Sequence, residues 1–388
     1  MFSAKDVLSA LTRQSLRREL LTIDQTDGTG IQIGDRQLVN FASNDYLGLS
    51  QHPVLREAAK QAIDRFGIGT GASRLISGST SLHARLEEQL SLFKSTESAL
   101  TFSSGYAAAV GTIPSIVTSD DVIILDKLSH ACLIDAAKLS GAILRVYPHN
   151  DLTKLQDHLV WAKQKHSDRT ILIVTESVFS MDGDLGALTA IVDLKDRFGA
   201  TLLVDEAHAT GVFGKQGEGL VHELHLSDRV EVQMGTLSKA IGVNGGFICG
   251  SRSLIDLLIN RARSFIYSTS PPPAVAAAAS AAVELIQSSE GGRLRERLWK
   301  NIRHLWQVLP ELSRSAEEPS SPIIPIIVGE ETKAVAAANA ILKSGYFAPA
   351  IRYPTVKRGS ARLRITLSSA HSEEQIDGLA KVIGSNCV

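Results

Sequence analysis

In the stretch GTLSKAIGVNGG, residues 235–246, Lys239 stands between two apolar runs, residues 232–234 and 247–249. An ammonium group so flanked is poorly hydrated. It gives up its proton more readily than a surface lysine and becomes an amine nucleophile toward carbonyl carbon, able to form a Schiff base. Thr236 and Ser238 place two hydroxyls just ahead of it. Three other apolar runs end in reactive groups. TLLVDEAH delivers Asp205, with His208 three residues on; TILIVTESVFSMDGD delivers Glu176, Ser180 and Asp182; VIILDKLSHACLID delivers His130. LTFSSGYAAAV opens a helix at Gly105 and Tyr106, where free N–H groups suit an anion.

These groups have one joint explanation. Pyridoxal 5'-phosphate needs a lysine for its aldehyde, a carboxylate for its ring nitrogen, a flat partner on its ring and a cup for its phosphate. Lys239, Asp205, His130 and the helix start at Gly105 and Tyr106 supply them in turn, with Thr236 and Ser238 suited to the phosphate. Three other motifs are set aside. GIGTGA, residues 67–72, has the spacing of a dinucleotide fingerprint but follows a helical segment rather than a strand. DEAH, residues 205–208, spells a helicase box, yet the chain has no G-x-x-x-x-G-K-[ST] loop. HELH, residues 222–225, lacks the spacing of a zinc helix and reads as a solvated segment.

The elements that must position these groups are short. ALTF, VIIL, ILRVY, TILIVTE, TLLVDE, VQMG and GFICG read as strands, several apolar throughout. Helical patterns, such as residues 151–165 and 188–198, alternate with them. That is an α/β layered domain with a mostly parallel sheet, in which chemistry collects at the carboxyl ends of the strands. The C-terminal part differs: IIPIIVG and ARLRITL read as strands, with the helix TKAVAAANAILKSG following the first. The expected division is an N-terminal helical arm, 1–37, a large α/β domain, 38–283, and a smaller α+β domain, 284–388.

Composition narrows the classes of function. The chain has 388 residues, 44% hydrophobic, and a formal net charge of −1, which points to neither nucleic acid nor a membrane surface. Its three cysteines, Cys132, Cys249 and Cys387, have no ligand spacing, so neither a disulfide framework nor a metal site is expected. The first twenty residues read as a short amphipathic helix rather than a signal peptide, and PPPAVAAAASAAVELI is too short and too weakly apolar to span a bilayer. The expected compartment is the reducing cytoplasm.

FASNDYLGLS, FGIGTGASRLISGST, LHARLEEQL, SHACLIDAAKLSGA, ESVFSMDGD, VDEAHATGVFG, GTLSKAIG and FIYSTSPPP resemble the α-oxoamine synthases, over residues 38–371. The resemblance implies a pyridoxal-phosphate-dependent transferase of fold type I, with a mostly parallel central sheet flanked by helices and a smaller α+β C-terminal domain. It implies that Lys239 carries the cofactor and later shuttles a Cα proton. Asp205 would pair with the ring nitrogen, His208 and Ser180 with the ring phenolate oxygen, and His130 would stack on the ring and meet substrate. Gly105, Tyr106 and Thr236 would seat the cofactor. Asn44 and Arg352 would hold the amino-acid carboxylate, and Arg18 and Thr355 match substrate-contact positions.

Within the family AIRYPTVKRGSARLRITLSSAH is most similar to the biotin-pathway branch, departing at Tyr353 where proline is common. That branch implies L-alanine and a pimeloyl thioester, of coenzyme A or acyl carrier protein, as substrates, and a homodimer. The rival readings are a sister synthase that condenses glycine with another acyl-CoA, an aminotransferase, and an ATP-driven protein resting on DEAH.

Overall fold

Apolar runs with no polar alternation have to be covered on both faces, and that is how the chain uses them. In the computed structural model, which describes residues 2–309 and 318–386, Ser98–Phe102 (β4), Val122–Asp126 (β5), Ile171–Glu176 (β7), Val232–Thr236 (β9) and Gly246–Gly250 (β10) are buried along their whole length. Ile143–Tyr147 (β6) and Thr201–Asp205 (β8) complete a seven-stranded sheet in the order β4-β10-β9-β8-β7-β5-β6. From β9 to β6 the pairing is parallel. β10 alone runs antiparallel to both its neighbours.

Alternate residues enter opposite layers, as the two-residue period of a strand requires. Ile123, Leu125, Leu172 and Val174 share a core with the helices Gly105–Ile116 and Ala131–Ser140, while the intervening Ile124 and Ile173 are equally inaccessible from the other side. Each such side chain contributes about 1.5–3 kcal/mol. The helices Leu152–Lys165 and Leu188–Phe198 agree within a residue with the spans expected from periodicity. Edge strand β6 breaks the apolar rule: Arg145 is exposed and lies over the Trp161 ring, 4.0 Å from its centroid. The Ala-rich helix Pro273–Gln287 is buried along most of its length, Ala274 and Ala277 packing with Ala62 of helix Pro53–Phe66.

All of this belongs to one compact unit, Leu49–Ser180 with Leu185–Arg295. The other comprises Met1–Gly48, Met181–Asp184 and Glu296–Val388. It holds two small sheets. Ile323–Gly329 (β11), Ala361–Thr366 (β14) and Ala350–Ile351 (β13) are antiparallel, and helix Glu331–Lys343 follows β11. Gln25–Asp27 (β1), Gly30–Ile33 (β2), Arg36–Asn40 (β3) and Tyr346–Phe347 (β12) form the second.

Segment 1–37 is therefore more than a helical arm: its helix is Ala4–Arg13, and β1, β2 and the start of β3 follow. Residues 1–48 group with the C-terminal part of the chain rather than ending at 37, and the large unit runs on to Arg295 rather than to 283. Cys132 and Cys249 are buried free thiols; Cys387 lies outside the described residues.

Candidate active site

Asp205 is the last residue of β8, paired in register with Glu176 on β7 and Met234 on β9. Only 5% of it is accessible, and one carboxylate oxygen accepts the Ala207 N–H at 2.9 Å. Burial pushes its carboxyl above the ordinary range, and the charge of Lys239 and the Ala207 N–H pull it back. Such an acid is built to meet a cation.

Lys239 follows β9 in a turn closed by the Gly242 N–H on its own carbonyl at 2.8 Å. Gly242 has φ +80°, and a Cβ there would lie 2.7 Å from the Ser50 nitrogen, so no other residue fits the turn. The turn brings Lys239 Nζ to 2.6 Å from His208 Nε2, on the buried loop that leaves β8.

The letters DEAH acquire a structural meaning here. Glu206 is fully buried and ion-paired with the equally buried Lys94 Nζ, while its second oxygen accepts the Val221 N–H at 2.8 Å. Lys94 also donates to the Glu218 carbonyl. The pair pins the loop that carries His208, and removing one partner of such a pair costs about 3–5 kcal/mol. HELH closes the short helix Leu220–Glu223 and the turn after it, with Glu223 and His225 exposed, and GIGTGA follows helix Pro53–Phe66.

His130 caps helix Ala131–Ser140: Nδ1 accepts the Cys132 N–H at 3.2 Å, which leaves the ring proton on Nε2. Desolvation, aided by Lys239, lowers its pKa against the opposing pull of Asp205, so a neutral imidazole faces this corner. Its own backbone N–H donates to Glu176.

Gly105 opens helix Gly105–Ile116, with the Ser104 hydroxyl accepting the Ala107 N–H at 3.0 Å. A Cβ on Gly105 would come within 3.6 Å of the Thr236 side chain, so free N–H groups and a buried hydroxyl share one corner. Thr236 Oγ1 donates to the Gly245 carbonyl at 2.8 Å and lies 2.7 Å from Ser238 Oγ. Tyr106 is exposed, and its hydroxyl donates to Asp135 at 2.5 Å, which raises the phenol's pKa. Ser180 is buried, four residues beyond the end of β7.

The remaining sequence-derived residues lie in the other unit. Arg18 Nη2 donates to Thr355 Oγ1 at 3.0 Å, which brings those two together. Asn44 meets Arg364 rather than Arg352: Arg364 Nη1 donates to Asn44 Oδ1 at 3.1 Å and to Thr366 Oγ1 at 3.0 Å. Arg352 instead gives its guanidinium to the backbone carbonyls of Ser15 and Arg17. Arg364 escaped the sequence reading because ARLRITL was treated only as a strand. The available signal was that a strand buried along its whole length cannot carry two arginines without a use for each. Arg362 is spent on Asp182 at 2.6 Å.

A carbonyl-reactive lysine, a buried acid, a neutral imidazole and a helix start beside a hydroxyl are the donor set a pyridine aldehyde phosphate requires, and the residues fit that group. Comparisons with known proteins agree. The class I and II aminotransferase family matches residues 36–383. The 8-amino-7-oxononanoate synthase of Geobacter sulfurreducens is 45% identical over 95% of this chain and 94% of that protein. The enzyme of that name from Thermoanaerobacter pseudethanolicus is 41% identical over 97% and 94%. A serine palmitoyltransferase from S. paucimobilis, solved with PLP and myriocin bound, superposes with a TM-score of 0.92 at 27% identity, covering 98% of this chain and 96% of that one. The chain belongs to the α-oxoamine synthases, pyridoxal-phosphate-dependent members of the class I and II aminotransferase family, as the motifs from FASNDYLGLS to FIYSTSPPP implied.

Proposed function

We propose that the chain is an 8-amino-7-oxononanoate synthase, which condenses L-alanine with a pimeloyl thioester of coenzyme A or acyl carrier protein and releases carbon dioxide and thiol. The observation that carries this reading is Lys239 Nζ, 2.6 Å from His208 and beyond the strand neighbouring that of buried Asp205, in a chain 41–45% identical to enzymes of that name. Bound pyridoxal phosphate supplies an electron sink for negative charge at the amino-acid Cα.

The chain's own residues do the rest. Asp205 keeps the ring nitrogen cationic, and a neutral His130 covers one ring face without adding positive charge. His208 and Ser180 are assigned to the phenolate oxygen, and the N–H groups at Gly105 and Tyr106 with the Thr236 hydroxyl to the phosphate. Lys239 Nζ holds the cofactor, then, once released, takes the Cα proton and returns it after carbon dioxide is lost. The guanidinium of Arg364, buried and hydrogen-bonded to Asn44, is assigned to the alanine carboxylate together with Asn44, in place of Arg352, which is bound to the Ser15 and Arg17 carbonyls. Arg18 and Thr355 are assigned to the thioester substrate.

A homodimer is part of this reading. Ile68, Leu75, Ile76 and Tyr267, 50–81% exposed on a single chain, are the apolar residues we assign to that interface. Among the described residues no helix is long and apolar enough to cross a membrane, and no group of three His, Cys, Asp or Glu could hold a metal. We assign the enzyme to the cytoplasm.

The test is an assay of alanine, glycine and serine against pimeloyl, acetyl and succinyl thioesters, reading thiol and carbon dioxide. Alanine with the pimeloyl thioester is expected to be fastest. One methyl group in a pocket is worth about 1–3 kcal/mol, so glycine is expected to trail by roughly tenfold or more. Glycine with acetyl-CoA as the best pair would move the chain to a sister synthase.

A further inference from the structure

Three adjacent strands, β5, β7 and β8, end in Asp126, Glu176 and Asp205, and all three side chains are buried. Two of these acids have evident uses. Asp126 is satisfied by the N–H groups of Leu128 and Asn150 at 2.8 and 3.0 Å and by His149 Nδ1 at 3.0 Å. Asp205 faces Lys239. Glu176 is left, with the backbone N–H of His130 as its described hydrogen bond.

Resting on the cofactor reading above, we propose that Glu176 is a positioning residue: as an uncharged acid it fixes the backbone of His130 and leaves Asp205 as the anion the cofactor's ring nitrogen meets.

The geometry supplies the reasons. Glu176 and Asp205 are directly paired across parallel strands, so their side chains leave the sheet on the same face, and adjacent strands are only about 4.8 Å apart. Burial and the repulsion of its neighbour oppose a second charge on such a pair, which favours the pair keeping one proton. The surrounding groups place it. Lys239 and the Ala207 N–H favour charge on Asp205 against burial and the charge of Glu206. Around Glu176, burial, Asp205 on β8 and Asp126 on β5 oppose charge, against the His130 N–H and Lys239, and its carboxyl stands well above the usual range. Cys132 faces the same corner and is held as a thiol by burial and by the charge of Asp205.

The mechanical part follows from position. His130 is the N-cap of helix Ala131–Ser140, with Nδ1 committed to the Cys132 N–H. Fixing its backbone N–H as well leaves its ring little freedom in tilt. An ionised Glu176 would attract a proton onto the His130 ring and compete with Asp205 for the cationic ring nitrogen.

Infrared difference spectra between the unmodified full-length chain and Glu176→Gln, with and without pyridoxal phosphate, test the charge. A protonated-carboxyl carbonyl band lost in the variant at neutral pH is expected. Only carboxylate bands in the difference would overturn the proposal. Cofactor titration tests the positioning: Glu176→Leu orphans a buried N–H and is expected to weaken pyridoxal phosphate binding about tenfold, and Glu176→Gln, which keeps the acceptor, to recover most of that loss. Equal affinity in the unmodified chain and the Leu variant would overturn it, as would a Gln variant as weak as Leu. An unmodified chain that takes up no pyridoxal phosphate sinks the cofactor reading and the positioning role together. A missing acid band beside normal uptake overturns the Glu176 proposal alone.

Discussion

Arg352 and Arg364 carry the same guanidinium but are used differently. Arg352 is tied to the carbonyls of Ser15 and Arg17, and so holds the segment between helix Ala4–Arg13 and β1. Arg364 is buried beside Asn44, with a planar fork that matches a carboxylate. Arg364→Lys is accordingly expected to raise the KM for alanine about tenfold or more, while Arg352→Lys acts mainly by loosening residues 14–18, seen as faster tryptic cleavage there. Steady-state kinetics and timed proteolysis separate the two. Lys239, Asp205 and His130 could be named as candidates from sequence because each lies at or within four residues of the end of an apolar strand. Arg364 could not be placed that way. Its partner Asn44 is 320 residues away in the chain, and no spacing rule reaches that far.

At the scale of elements, the strands of the large sheet were legible because most are covered on both faces and largely apolar, edge strand β6 with its exposed Arg145 being the exception. β1, β2 and β3 were not, because they are short and bury only Ile31 and Leu38 fully; the signals were the Asp27-Gly28 and Gly34-Asp35 turn pairs. The small unit has its own pH liability. His371 precedes helix Glu373–Asn386, lies flat on Phe41 with ring centroids 4.0 Å apart, donates through Nε2 to the Asn40 carbonyl and accepts the Ser368 N–H at Nδ1. Burial lowers its pKa from 6.5 to about 4. The unfolded chain therefore binds this proton first as pH falls, so the stability His371 confers is complete above about 6.5 and is lost progressively toward pH 4. The loss reaches about 3 kcal/mol. Urea unfolding at pH 7 and pH 5 checks this: the drop is expected to be smaller in His371→Gln than in the unmodified chain.

For the whole molecule, the homodimer proposed above is tested at the exposed apolar residues. Ile76 is 81% exposed on the turn Arg74–Gly78, and Ile68 is 77% exposed. Sedimentation is expected to give twice the 41.6 kDa of one chain, and Ile76→Asp to shift the equilibrium toward monomer and lower cofactor retention with it. A monomeric unmodified chain that turns over at full rate would remove the dimer from the account. Nothing in the sequence pattern could have revealed this surface, because the same residues read equally well as core.

The most direct measurement concerns one bond. Borohydride reduction of the chain loaded with pyridoxal phosphate, followed by peptide mapping, is expected to leave the cofactor's mass on the peptide containing Lys239, and to leave Lys239→Ala both unlabelled and inactive. Label on any other lysine, or an active Lys239→Ala protein, would contradict the account.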